Sequence, residues 1–78
     1  MLHTVNKSPF EKNSLETCLR LIENNSSLLL IEDAVYGALT NTNIEDKIVN
    51  AQSTITVYVL GPDLKARGLD KNSLITNI

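Results

Sequence analysis

Residues Thr54–Gly68 read TITVYVLGPDLKARG, and this stretch decides the class of fold. Thr54 to Leu60 is almost wholly β-branched, aliphatic or aromatic, the composition of a strand. Gly61 ends it. Pro62 suits the first turn of a helix, where its missing N–H costs nothing. DLKAR supplies that helix, and Gly68 fits its C-terminal cap. Lys65 and Arg67, near the helix end, complement its dipole. A strand passing through a tight turn into a helix is half of a β-α-β unit, so the flanking sequence should supply the rest.

It does so upstream. Leu28–Glu32, LLLIE, is a continuous apolar run and not an alternating one. That pattern suits a strand covered on both faces, as in a parallel sheet, and the same expectation holds for ITVYVL. Between the two strands, Asp33 can cap a short helix carrying Val35, Ala38 and Leu39, which Gly37 weakens. IEDKIVNAQ is a second helical piece with Ile44, Ile48 and Val49 to bury. The two pieces form one broken crossover. Further back, Asn13 and Glu16 have capping-box spacing, and Leu15, Cys18, Leu19 and Ile22 follow at i, i+3, i+4 and i+7. The opening MLHTVN is a short strand, broken near Pro9. Downstream, DKNSL is one more helical turn, and ITNI starts a further strand. The alternation predicts an α/β fold: a small, open, mostly parallel sheet with flanking helices and right-handed crossovers.

Composition narrows the function. Seventy-eight residues make one domain, and a chain this short is marginal as a lone monomer. A single cysteine cannot form an internal disulfide, and His3 and Cys18 show no metal-ligand spacing. Partner subunits are the remaining support. A formal charge of −2 and scattered basic residues argue against direct nucleic-acid binding. The longest apolar run, Leu28–Ile31, is too short to span a bilayer. The N-terminus lacks a signal-peptide pattern, and an unpaired thiol fits a reducing cytoplasm. The glycines, Gly37, Gly61 and Gly68, are too far apart for a phosphate loop, so no nucleotide or flavin cofactor is expected.

Three places could carry chemistry. Cys18 lies beyond the first turn of its helix, and its neighbours on that face are Ser14, Leu15, Leu21 and Ile22, none cationic. A packing cysteine is the reading favoured by these residues; a reactive one needs a cation or a partner's thiol from outside the helix. Glu32 and Asp33 stand at the carboxyl end of a strand, where ligands of parallel sheets gather, but Asp33 as a helix cap and Glu32 as a solvated acid is the favoured reading, because no histidine or second acid pair completes a site. His3 in the first strand is expected to be packed and hydrogen-bonded.

Three stretches, MLHTVNKSPFEKNSLETCL, LLLIEDAVYGAL and YVLGPDLKARG, together resemble the DsrH/TusB family of sulfur-relay subunits, most closely DsrH. The resemblance spans most of the chain. It implies a DsrE-like fold and a heterohexamer built with DsrE/TusD-like and DsrF/TusC-like subunits. Such complexes accept persulfide sulfur and pass it to a small DsrC/TusE-like carrier, for sulfur oxidation in one branch and for 2-thiouridine in transfer RNA in the other. The main acceptor cysteine of the family's complexes lies on the DsrE/TusD subunit. Cys18 matches a first-helix cysteine of DsrH-like members, which makes it a candidate secondary persulfide site. The alternative is a purely structural assembly subunit. Family members continue past ITNI through a strand and a final helix, so the expectation is a single domain over 1–78 without those two elements.

Overall fold

A computed structural model describes residues 2–8 and 14–78. Three strands, β1 (Leu2–Val5), β2 (Ser27–Leu30) and β3 (Thr56–Val59), form a sheet in the order β1-β2-β3. Both pairings are parallel, with His3 beside Leu28 and Leu28 beside Val57. α1 (Ser14–Leu21) makes the first crossover. A 3-10 helix, Glu32–Ala38, and α2 (Glu45–Ala51) make the second, which is the expected broken crossover. α3 (Gly61–Ala66) follows β3, and a second 3-10 helix spans Lys71–Ser73. The α/β reading with a small open parallel sheet and flanking helices is the observed architecture.

The register places His3, Val5, Leu28, Leu30, Val57 and Val59 on one face of the sheet. That face carries the core. Leu15 of α1 and Ile48 of α2 are fully buried on it, and Cys18, Leu19 and Ile22 pack at its margin. The i, i+3, i+4, i+7 face of α1 therefore does what its spacing promises. The capping position Asn13 lies outside the described residues. Glu16 pairs with Lys47 of α2.

The opposite face differs from expectation. It carries Leu2, Thr4, Ser27, Leu29, Thr56 and Tyr58, and Leu2 and Tyr58 are 60% and 51% exposed. Among the described residues, then, the outer face is open at Leu2 and Tyr58 and only partly covered at Ser27 and Leu29, so the strands are not buried on both faces. The physical reason is topological. Two successive crossovers of the same hand, in the order β1-β2-β3, deliver both intervening helices to one side. An apolar strand composition says that a face can be covered, not that this chain covers it.

Three local corrections concern the connections. Asp33 does not cap the segment that follows it: the cap position is Ile31, without a side-chain bond, and the segment is a seven-residue 3-10 helix instead of an α-helix. Val49 is exposed, whereas Ile44 and Ile48 are buried. ITNI does not start a strand. Leu74 forms an isolated antiparallel bridge with Leu39, and the Ile75 N–H donates to Ala38 O at 2.8 Å, so the segment docks Ile75 into the core. The end of α3 matches its sequence signal. Gly68 takes φ 66°, its N–H donates to Lys65 O, and the Leu69 N–H donates to Leu64 O, which is a Schellman closure.

Candidate functional site

The carboxyl ends of β2 and β3 face each other across a charged cluster. The chain leaves β2 through Ile31 and turns at Glu32, whose φ is 50°. This left-handed conformation costs a residue with a Cβ about 1–2 kcal/mol. The Glu32 N–H donates to Asp63 Oδ2 at 2.7 Å. Asp63 lies in the first turn of α3, one residue after Pro62, so the turn that Gly61 and Pro62 build places this acceptor. Arg67, one helical turn later, donates from Nε and Nη2 to Asp33 Oδ1 at 3.0 and 2.9 Å. Its Nη1 reaches Asp63 O at 3.2 Å and lies 3.8 Å from Asp63 Oδ1.

Arg67 thus joins the loop after β2 to the helix after β3. Its hydrogen bond to Asp33 is the main influence pushing the guanidinium's pKa up. Partial desolvation opposes it, and the charges of Asp33, Asp63 and Tyr36 add to it. The Asp63–Arg67 half of this cluster is visible in the sequence as an i, i+4 acid–base pair within DLKAR. Its partner Asp33, 34 residues away, carries no sequence signal that singles out Arg67. Among the described residues, no group of three His, Cys, Asp or Glu side chains is placed to hold a metal ion.

Cys18 stands apart from this cluster. It is half-buried on α1, against the core, and burial pushes its thiol pKa up. Among the described residues, no charged group or hydrogen bond stabilises its thiolate. Arg20 and Lys47 instead line an open groove of about 500 Å³ between α1 and α2, with Glu16, Leu19, Asn50 and Ala51. Nothing in this arrangement activates the sulfur.

His3 is only half of what its sequence suggests. It is packed on the covered face of β1, but its Nε2 is buried with no hydrogen-bond partner among the described residues. Sequence position cannot reveal such an orphan atom, because it depends on what α1 brings over the strand.

The fold and these positions can be set against known proteins. The family described as DsrH like protein matches residues 7–78. The chain belongs to the DsrH-like family. Protein TusB of Pectobacterium parmentieri is 38% identical over 69 residues, covering 88% of this chain and 70% of that protein. Protein TusB of Erwinia tasmaniensis is 41% identical, and that of Escherichia coli O1:K1 / APEC is 39% identical, over the same shares. The matched region of this DsrH-like chain takes in Cys18, Glu32, Asp33, Asp63 and Arg67, but not His3. Among the described residues, no helix is long and apolar enough to cross a membrane.

Proposed function

We propose that this chain is a cytoplasmic subunit of a sulfur-relay complex. It would assemble with DsrE/TusD-like and DsrF/TusC-like subunits, and the assembly would pass persulfide sulfur to a DsrC/TusE-like carrier. The observation that carries this reading is the family match over 7–78. The uncharged outer face of the sheet supports it. Parallel sheets are normally covered on both sides, and an open, uncharged face of this kind favours association.

Within that complex, the geometry favours a supporting subunit over a sulfur carrier. Cys18 has a raised pKa, a half-buried position and, among the described residues, no cation beside it. A thiol in that setting is a poor nucleophile at neutral pH. A role as a secondary persulfide site requires a partner subunit to supply the missing cation or thiol.

The test is to co-express the chain with DsrE- and DsrF-like subunits encoded in the same genome. Co-purification as one complex of fixed stoichiometry is the expected result. A chain that stays apart from both subunits overturns the assignment. Persulfide loading of the complex, followed by intact-mass spectrometry in wild type and Cys18→Ser, then separates the two roles. Equal loading is expected for a supporting subunit, and a lost increment identifies Cys18 as a sulfur site.

A further inference from the structure

Four non-glycine residues among those described have positive φ: Asn25, Glu32, Asn41 and Asn77. Three are asparagines, the residue type that tolerates this region best. Glu32 has no such excuse. It also begins a 3-10 helix of seven residues, where runs beyond three or four are uncommon. That helix has no side-chain cap of its own. Its first turn closes through the Ala34 N–H to Ile31 O at 3.0 Å, and α3 supplies the side-chain contacts: Asp63 Oδ2 accepts the Glu32 N–H, and Arg67 grips Asp33 with two donors. Arg67 itself is mostly covered, with a side chain 22% exposed, and it ties back to Asp63 through the Asp63 carbonyl.

We propose that α3 is a latch on the carboxyl end of β2: Asp63 and Arg67 hold Glu32 in the left-handed region, so that the first turn of the 3-10 helix has a held and a released state. In the released state, Glu32 returns to an ordinary backbone conformation and its N–H exchanges with solvent. Ala34 and Ala38 stay buried, because they belong to the core cluster, which includes no residue of α3. The motion is therefore confined to the turn formed by Ile31, Glu32 and Asp33, at the end of the sheet where two loops meet. This goes beyond membership of a sulfur-relay complex and stands without it.

Coupling between Glu32 and Asp63 is the test, measured on the full chain. Glycine removes the left-handed penalty, so Glu32→Gly should raise the folding equilibrium constant about fivefold in the wild-type background. In an Asp63→Ala background the latch is gone, Glu32 has already relaxed, and the same substitution should gain less than about twofold. Amide exchange at Glu32 should quicken about tenfold in Asp63→Ala while Leu28 and Leu30 keep their protection. An equal glycine gain in both backgrounds, or unchanged exchange at Glu32, overturns the proposal. Should the alanine variant not fold, Asp63→Asn decides. It keeps an acceptor but loses the charge, so the Glu32 amide should exchange faster than in wild type, and equal rates overturn the latch.

Discussion

Arg67 donates two hydrogen bonds to a single oxygen of Asp33, 34 residues away in the chain. The pair closes the loop after β2 against the helix after β3. An exposed ion pair is ordinarily weak, but this guanidinium also holds the Asp63 carbonyl, so its planar fork is used on two sides. Lysine cannot reproduce that geometry. Arg67→Lys is therefore expected to lower the melting temperature by a few degrees, and Arg67→Ala to lower it only slightly further. A thermal melt showing lysine equal to wild type would mean that charge alone suffices.

Cys18 links burial to pH. The unfolded thiol titrates at about pH 8.5, and burial raises the folded value above that. Below the unfolded pKa both states keep the proton, and the contribution is constant. As pH rises through the interval between the two values, the unfolded chain loses its proton first, and stability falls. Cys18→Ala should cost about 1 kcal/mol at neutral pH for lost volume. The gap between wild type and this variant should then narrow, in urea denaturation, as pH rises past the unfolded thiol's pKa. Reaction of Cys18 with a thiol reagent at neutral pH should be slower than that of a free cysteine.

The sequence makes some features of this fold legible and hides others for identifiable reasons. Periodicity announces the buried face of α1 because helix geometry alone decides which residues share a side. Gly61, Pro62 and Gly68 announce α3 because each has a backbone property that few other residues supply. What the sequence cannot express is the meeting of distant segments. LLLI and ITVYVL look as if they need cover on two faces, yet the order β1-β2-β3 puts both crossover helices on one side. Asp33 looks like a cap, yet Arg67 claims its carboxylate. ITNI has strand propensity, yet Ile75 is buried in the core with its N–H donating to Ala38 O. At the candidate site, the acids just past β2, Glu32 and Asp33, are visible in the sequence as a pair at a strand end. Their partners on α3 are not.

Leu15 tests the core. It is fully buried where α1 meets the sheet. Leu15→Ala should cost about 2–5 kcal/mol. At roughly 0.05–0.15 kcal/mol per residue, a domain of 78 residues has about 4–12 kcal/mol in all. The variant should therefore lose a large fraction of its stability, with a lower urea midpoint and an unchanged slope. A loss below about 1 kcal/mol would mean that α1 is not the principal cover of this face.

The outer face of the sheet makes the opposite prediction. Tyr58 sits on β3 beside Leu29 of β2 and is half exposed, in a face whose six residues carry no charge. A lysine there meets solvent and not a core, so Tyr58→Lys should change the melting temperature of the chain very little. It should, however, oppose association through that face, since an unpaired charge in an apolar contact must be desolvated. Sedimentation velocity over a concentration series should show the wild-type chain self-associating and the lysine variant shifted toward monomer. In the co-expressed complex, the same variant reports whether the face is covered by a partner: reduced recovery with the other subunits places Tyr58 at a contact, and full recovery leaves the face in solvent. A loss of stability as large as that of Leu15→Ala in the isolated chain would instead show that the chain buries Tyr58 by itself, contrary to its exposure here.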